Sequence, residues 1–181
     1  GPRNGQVCAG LAISAAEARL TLAGVKRFLP DLRTAAEKLA RDGVTVEEAH
    51  PDLSDAEKNF MILRGAIYIA RIGPLLAKYR HLLKPEVIGN AEFGLGLKLT
   101  EVVAAEIAHG ELIRRVAGFF ETYDLLICPA VICPPFPVET RYVEELDGVK
   151  LEGYMGWLVM TWALSMVACP VLSIPCGFTA D

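Results

Sequence analysis

Glu106 and His109 are the pair of side chains whose spacing most directly suggests chemistry. Residues three apart lie on one face of an α-helix, and E-x-x-H pairs of this kind bind metal ions in di-metal carboxylate bundles. Such a centre needs a second pair from another helix, and no other predicted helix carries one. We therefore expect no metal site, and interpret the pair as a local ion pair or as a polar interruption of an apolar helix face.

The four serines lack the surroundings of a hydrolase nucleophile. In the G-x-S-x-G motif, flanking glycines permit a sharp turn that exposes the hydroxyl, and nearby backbone N–H groups hold the oxyanion. Ser14, Ser54, Ser165 and Ser173 have no neighbouring glycine. We interpret Ser54 as a helix cap, and Ser165 and Ser173 as small residues in buried segments. No catalytic residue is assigned to this chain on these grounds.

The cysteines form neither a C-x-x-C pair nor a cluster with a nearby histidine that would indicate zinc. Their number is odd, and they are Cys8, Cys128, Cys133, Cys169 and Cys176. We interpret them as free thiols packed as small apolar residues, rather than as a disulfide framework. The chain start also lacks a basic segment followed by a long apolar core, as a signal peptide would have. Together these features favour a cytoplasmic protein.

The overall composition narrows the classes of partner. The chain has 181 residues, of which 52% are hydrophobic and 22% charged, which excludes a disordered protein. A net charge of −4 offers no attraction for phosphate backbones, and no basic run interleaved with aromatic residues occurs. We therefore expect no nucleic-acid partner, and we expect no cofactor.

Residues 153–180 contain no Asp, Glu, Lys or Arg and are long enough to span a membrane. Against a membrane span, Pro170 and Pro175 divide the segment, and no Lys/Arg cluster flanks it. The piece between the two prolines is short and β-branched, which is typical of a buried strand. We expect a buried helix followed by a core strand, and no membrane association.

The first half of the chain has a clear helical pattern. Apolar residues spaced by three and four predict a helix over 31–41, followed by a strand over 44–49. Ser54 and Glu57 have the spacing of a capping box, which predicts a helix from Asp55 to about Tyr79, disturbed at Gly73-Pro74. A further helix is predicted from Pro85 to Tyr123 with a break near Gly94 and Gly96. Its buried stripe is predicted to contain Leu99, Val102, Ile113, Val116 and Phe120.

The second half of the sequence has the composition of short strands and loops. Asp124–Pro129 has the composition of a short strand ended by proline, and residues 129–137 are too rich in proline for a regular ladder. Asp147-Gly148 is typical of a tight turn and predicts a hairpin between Tyr142 and Leu151. The predicted fold class is α/β, with a mixed sheet wrapped by helices.

From residue 44 onward, these features resemble the C-terminal half of amidase-signature enzymes. The specific part is the run from Met160 to Pro170, followed by Leu172 to Phe178. It is similar to the family's Phe-Thr helix, which leads through Gly-Leu-Pro into a Ser-Val-Pro-x-Gly-Phe strand. The matching positions are Thr161, Pro170, Ser173, Pro175, Gly177 and Phe178. This chain has Met160 where Phe is usual, Ser165 where Asn is common and Ala168 where Gly is common.

The resemblance implies hydrolysis of a carboxamide to an acid and ammonia or an amine. In that family a Lys activates a Ser held in a cis peptide, which deprotonates the nucleophilic Ser, and backbone N–H groups stabilise the oxyanion. These groups come from a Gly/Ser-rich signature region, and this chain contains no Gly-Gly, Ser-Ser or Ser-Gly dipeptide. The resemblance therefore places the catalytic triad outside this chain and predicts that the chain alone is inactive.

The resemblance implies that this chain supplies the hydrophobic core and one wall of the acyl pocket of the enzyme. A helix over Tyr154–Ser165 would present Trp157, Thr161 and Leu158 on one face, and Cys128 and Pro129 would lie near the ends of core strands. An alternative of equal weight is that Trp157 and Thr161 only pack in the core and do not contact a substrate. The expected partner is a small-molecule amide substrate.

The domain prediction is a partial amidase-like domain over residues 31–181, truncated at both ends, preceded by a stretch of undetermined structure, residues 1–30. Such a part would expose apolar surface around Val171–Ile174, which predicts homo-oligomers. An alternative is a non-catalytic binding or assembly module that retains half of the fold.

Overall fold

The computed structural model describes residues 8–11, 29–133 and 135–173, with side chains from residue 33 onward. Ser14 and Cys176 lie outside the described residues. The closing segment 174–181, which holds most of the predicted last strand, lies outside them as well. The predicted α/β class, a sheet wrapped by helices, is confirmed.

A three-stranded parallel sheet lies at one end of the described chain. Its strands are β1 (Cys8–Leu11), β2 (Thr45–Glu48) and β3 (Leu125–Ile127), in the order β2-β1-β3. Ala9 is opposite Val46 on one side and Leu125 on the other. The predicted strands at 44–49 and 124–129 are confirmed. The central strand was missed, because its sequence Cys-Ala-Gly-Leu has neither β-branched residues nor apolar alternation.

Helix α1 (Leu29–Arg41) connects β1 to β2, as a parallel pairing requires, and confirms the helix predicted at 31–41. The N–H of Gly43 is bonded to the carbonyl of Ala40, and Gly43 has a φ of +85°. Glycine adopts this left-handed conformation without steric cost, so it ends the helix and turns the chain into β2.

Helix α2 (Ala56–Tyr79) corrects two predictions. Its N-cap residue is Asp55, without a side-chain capping bond, and the backbone N–H of Ser54 instead donates to Oδ1 of Asp52 at 3.0 Å. The predicted capping box of Ser54 and Glu57 is therefore wrong. The helix also continues through Pro74, where a disturbance was predicted. A short 3₁₀ turn, Arg80–Leu82, follows it.

Helices α3 (Pro85–Gly96) and α4 (Leu99–Phe119) confirm the predicted break after the glycines. Leu97 and Lys98 are extended between them, and the carboxylate of Glu101 accepts the backbone N–H of Lys98 at 2.9 Å. Leu112 and Val116 are fully buried on the inner face of α4. Leu99, predicted to be buried, is 78% exposed, because a stripe at helical spacing does not show which side of a helix faces the core.

The chain returns to the core through a hairpin and two short helices. Strands β4 (Glu145–Leu146) and β5 (Val149–Lys150) pair antiparallel, which confirms the predicted hairpin. Positive φ angles at both turn residues, 49° at Asp147 and 80° at Gly148, are those of the tight hairpin turn that the dipeptide predicted. Helices α5 (Gly153–Gly156) and α6 (Val159–Ser165) follow.

The segment predicted to be a buried helix and strand, 153–180, is only partly as expected. Val159, Met160, Trp162 and Ala163 of α6 are buried. Residues 170–173 are not in a strand, and Val171 and Leu172 are exposed. Ser165 and Ser173 are exposed as well, so their prediction as buried residues is wrong. Within the described ranges, one helical stretch, Ala56–Leu82, is long and apolar enough to cross a membrane by length and composition, and few of its residues are buried.

Helices α2 and α3 approach closely at two glycines. A Cβ at Gly94 would overlap the backbone carbonyl of Gly65, and one at Gly65 would lie 2.8 Å from the ring of Phe93. Ala91, one turn before Gly94, is completely buried in the same helix. Small residues at these positions therefore set the distance between the two helices.

Gly94→Ala is expected to destabilise the protein by about 1–3 kcal/mol, because the two backbones must move apart. Gly89→Ala in the same helix is the matched control, since nothing lies within 4 Å of a Cβ there. The control should be about 0.5–1 kcal/mol more stable than the natural sequence because alanine favours helix. Urea unfolding of both variants measures the difference, and equal stability would contradict the close approach.

Candidate functional site

The predicted pocket residues lie where β3, the proline-rich loop and helices α5 and α6 meet. Cys128, Trp157 and Leu158 are half-buried and pack against the same hydrophobic core cluster. Pro129 is half-buried at the end of β3, whereas Thr161 is exposed. The structure thus brings Cys128, Trp157 and Leu158 to one cluster and leaves Thr161 at the surface.

The single helix predicted over Tyr154–Ser165 is wrong. Trp157 is the C-cap of α5 and Leu158 is the N-cap of α6, so the helical period is interrupted between them. The carbonyl of Thr161 accepts the hydroxyl of Ser165 at 2.7 Å within α6. Trp157 and Thr161 therefore do not lie on one helical face, and any shared role would depend on tertiary packing.

Four aromatic rings surround this junction in a chain of edge-to-face contacts. Ring centroids are 5.3 Å apart for Phe136 and Trp157, 6.3 Å for Tyr154 and Trp157, and 5.9 Å for Tyr142 and Tyr154. Such contacts each add about 0.5–1.5 kcal/mol beyond area burial. They join the proline-rich loop and the segment before the hairpin to α5. Phe136 and Tyr142 were missed at the sequence level, because their ring partners are not near them in the chain, whereas Tyr154 is only one helical turn from its partner Trp157.

The two tryptophans differ in what their indole N–H groups contact. Nε1 of Trp162 donates to the carbonyl of Met155 at 3.1 Å, and its ring stacks on Phe60 at 5.3 Å. Nε1 of Trp157 is buried and has no hydrogen-bond partner within the described part of the chain. A buried unpaired donor costs about 1–3 kcal/mol. Trp162 is therefore a core residue, whereas Trp157 has a donor available for an acceptor outside the described residues.

His109 acts in the fold and not with Glu106. Its Nε2 donates to the carbonyl of Met166 at 2.8 Å, at the C-terminal end of α6, whereas Glu106 is exposed. Of the alternatives for this pair, a polar interruption of the helix face agrees with the structure. No group of three or more His, Cys, Asp or Glu side chains that could hold a metal occurs in residues 29–133 and 135–173.

The thiol of Cys128 has a raised pKa because burial disfavours the charged thiolate. The thiolate is the reactive form in nucleophilic catalysis, so this environment is opposite to that of an activated cysteine. Cys128, Cys133 and Cys169 are all free thiols. The position of Cys128 agrees with a packing role near the strand end.

The carboxylates before α2 are paired with a cation from α4. The guanidinium of Arg115 contacts the carboxylates of Asp52 and Asp55. Hydrogen bonds from the backbone N–H and the hydroxyl of Ser54 lower the pKa of Asp52, and Arg115 adds a smaller effect. Asp52 and Asp55 thus join the start of α2 to Arg115 of α4.

A groove of about 240 Å³ lies between α2 and α3, away from the predicted pocket residues. Its lining consists of Ile67, Tyr68, Arg71, Ile72 and Val87. It is broadly open, and no predicted nucleophile or acid–base residue lines it. The aromatic junction around Trp157 is therefore the better candidate for a binding surface.

Ala168, just after α6, has a φ of 55°, in the left-handed region that favours glycine. This is the position where the resemblance noted above has Gly. An L-residue with a Cβ pays a steric cost in this conformation, and glycine does not. The backbone geometry expected of a glycine is thus retained although the residue is alanine.

Ala168→Gly is expected to stabilise the protein by about 0.5–1 kcal/mol, because relief of steric strain exceeds the entropy that glycine adds to the unfolded chain. Ala117→Gly is the control, since Ala117 is exposed within α4. The control should destabilise by about 1 kcal/mol through helix propensity. Chemical unfolding measures both, and destabilisation by both variants to the same extent would contradict the strain at Ala168.

Comparison with known proteins places this geometry in a family. The sequence pattern that defines the Amidase family matches residues 28–181. An acylamidase from Rhodococcus erythropolis is 30% identical over 97 residues, which are 53% of this chain and 20% of that protein. The chain thus spans about one fifth of the curated relative.

Solved structures show the same fold. A bacterial aryl acylamidase of the amidase signature family superposes with a TM-score of 0.74 at 15% identity, over 97% of this chain and 38% of that one. A 6-aminohexanoate cyclic dimer hydrolase, solved with substrate, superposes with a TM-score of 0.62 at 16% identity, over 92% of this chain and 37% of that one. This chain therefore belongs to the amidase family, and it covers part of the amidase-signature fold.

Proposed function

We propose that this chain is part of a carboxamide hydrolase that works through an acyl-enzyme, and that its Ser, cis-Ser and Lys triad lies outside these 181 residues. The match of residues 28–181 to the Amidase family is the observation that carries the proposal. This chain covers only 20% of the acylamidase and 38% of the aryl acylamidase, which agrees with a catalytic site that needs further residues. The part described would supply the hydrophobic core and one wall of the acyl pocket.

The environments of the described serines support a triad located elsewhere. The backbone N–H of Ser54 is bonded to Asp52, and the hydroxyl of Ser165 donates to the carbonyl of Thr161 within its own helix. A nucleophilic serine needs an adjacent general base within hydrogen-bond distance. Within the described part of the chain, neither hydroxyl is hydrogen-bonded to a Lys or His side chain.

For the substrate, we propose a small-molecule amide with an apolar acyl or aryl group. The relatives include an acylamidase and an aryl acylamidase, and the rings around Trp157 would complement such a group. Trp157 would also donate its indole N–H to an oxygen of the substrate, while Cys128, Leu158 and Pro129 form the apolar wall beside it. Thr161 would lie at the edge of this wall, because it is exposed.

The proposal also includes a cytoplasmic location without nucleic-acid or membrane partners. The free thiols Cys128, Cys133 and Cys169 are compatible with a reducing compartment. A formal net charge of −4 disfavours binding to nucleic acid or to anionic lipid.

A serine-directed fluorophosphonate probe tests the location of the triad. The isolated 181-residue chain is expected to show neither labelling nor amide turnover, whereas a longer gene product containing it should be labelled and active. Activity is followed by release of an aromatic amine from an anilide. Strong labelling of the isolated chain, at a serine identified by peptide mapping, would refute a triad outside it.

Trp157→Phe tests the donor in the proposed pocket, because the variant keeps an aromatic ring and removes the indole N–H together with part of the ring. In the active gene product we expect KM to rise about fivefold, as loss of one hydrogen bond of about 1 kcal/mol requires, with kcat nearly unchanged.

Trp162→Phe is the matched control, since it removes an N–H that is bonded to Met155. The control should lower the free energy of unfolding and leave KM unchanged, because a phenylalanine ring at position 162 can still stack on Phe60 and hold α6 in place. The reverse pattern, in which Trp157→Phe changes stability alone, would assign Trp157 to packing.

A further inference from the structure

Residues 137–152, which we call the arm, connect the proline-rich loop to α5 and include the β4–β5 hairpin. The hairpin end of the arm is anchored, because Leu146 and Leu151 are buried in the hydrophobic core. Residues 141–143 lie outside the helices and strands of the described chain. Hydrogen bonds of regular structure therefore do not fix them, and side-chain contacts have to offset the entropy lost when this part of the arm is ordered.

Two adjacent residues of the arm contact two different helices. The guanidinium of Arg141 donates to Oε2 of Glu86 in α3 at 2.5 Å. The ring of Tyr142 meets the ring of Tyr154 in α5 edge-to-face, with centroids 5.9 Å apart and planes at 81°. Val143, the next residue, packs against the hydrophobic core. Tyr142 is thus held on one side by a core contact and on the other by the ion pair.

Glu86 offers a fixed point for this ion pair. It lies in the first turn of α3, where the helix dipole favours a carboxylate, and its side chain is only 22% exposed. The carbonyl of Glu86 accepts Nδ2 of Asn90 at 2.6 Å, and Oδ1 of Asn90 accepts Nε of Arg64 in α2 at 3.2 Å. The ion pair therefore connects the arm to a helix whose position is set by other contacts.

The ring contacts continue from Tyr142 to the buried indole of Trp157. Tyr154 meets Trp157 edge-to-face at 6.3 Å, with planes at 90°. A helix of four residues, such as α5, is not stable alone, so contacts from outside it must set its position. Tyr142 supplies one such contact, through Tyr154, and Phe136 supplies another at 5.3 Å from Trp157. Together they orient Nε1 of Trp157, a buried donor without an acceptor among the described residues.

We propose that Arg141 is a positioning residue for the indole N–H of Trp157. Its ion pair with Glu86 keeps Tyr142 against Tyr154. That ring contact in turn keeps the N–H directed at an oxygen of the amide substrate. This inference rests on the proposed function, in which Trp157 lines the acyl pocket. The side chain of Arg141 is 53% exposed, and exposed ion pairs add little to stability, so loss of the pair should move the rings without unfolding the protein.

Arg141→Gln in the active gene product is expected to raise KM about threefold with kcat nearly unchanged. This is less than the change expected for Trp157→Phe, because Phe136 still contacts the indole. The urea midpoint should stay nearly the same, and Arg141→Lys, which keeps the charge, should keep KM close to the natural value. Arg80→Gln is the matched control, since it breaks another exposed ion pair of α3, with Glu92, that includes no residue of the arm.

Double variants show whether the effect passes through the ion pair and the indole. Glu86→Gln should raise KM as much as Arg141→Gln does, and the two together should raise it no further, because each removes the same contact. In the background of Trp157→Phe, Arg141→Gln should add no further rise in KM. Glu86→Gln also serves as the second variant if Arg141→Gln does not fold.

The indole N–H signals in the NMR spectrum of the same gene product, made with isotope-labelled tryptophan, give a readout that does not need activity. The signal that disappears in Trp157→Phe belongs to Trp157. It is expected to shift in Arg141→Gln and to stay in place in Arg80→Gln. The signal of Trp162, whose N–H is bonded to Met155, should not move in either variant.

The outcomes separate this inference from the proposed function. If Trp157→Phe raises KM but Arg141→Gln behaves like Arg80→Gln, the inference is overturned and the proposed function stands. A further rise in KM when Arg141→Gln is added to Trp157→Phe would also overturn it, because Arg141 would then act by another route. A gene product without amide turnover would refute the proposed function. In that case an unshifted Trp157 signal in Arg141→Gln would overturn the positioning role as well, and a shifted one would support it.

Discussion

The packing of Trp162 is the interaction on which the rest of this structure depends. Its ring stacks on Phe60 of α2, and its indole N–H bonds to the carbonyl of Met155 in α5. One buried side chain thus ties α6 both to the long helix and to the short helix before it. Because α5 and α6 are only 4 and 7 residues long, neither would be stable alone, and tertiary packing must hold them. The position of Trp157 between them follows from this anchor.

Polar side chains of the described region serve mainly to join its elements. His109 connects the middle of α4 to the end of α6, and Arg115 connects the same helix to the carboxylates before α2. Each group resembles a catalytic residue by type, yet each is engaged with a partner that fixes the fold. The exceptions are two buried donors without an acceptor among the described residues, Nδ2 of Asn59 in α2 and Nε1 of Trp157 beside the predicted pocket residues. A binding role is therefore better supported for this region than an acid–base role.

The sequence predicted those parts of the fold whose backbone conformation is set by a few neighbouring residues. The Asp147-Gly148 turn and the break after Gly96 depend on backbone conformation, which those residues specify themselves. The strand Cys8–Leu11 was missed because its place in the sheet depends on two strands distant in sequence. The exposure of Leu99 and the contact of Trp157 with Phe136 were unpredictable for the same reason, since both depend on tertiary packing. For the site, Trp157 and Leu158 were predicted from one continuous helix that the structure does not contain. Cys128 was predicted from its place near a strand end, and it directly follows β3.

Exposed apolar side chains occur on several elements of the described region, around a buried core. The core around Leu112, Val116 and Trp162 is buried, whereas large apolar side chains are more than half exposed in α2 (Ile67), α3 (Leu95), α4 (Leu99 and Ile107) and after α6 (Val171 and Leu172). A small domain with its own core would be expected to bury such residues or to replace them with polar ones, because exposed apolar patches favour association. A part of a larger domain has no such requirement, because other parts of that domain can cover such surfaces. The exposed apolar residues therefore agree with a chain that spans only part of the length of its relatives.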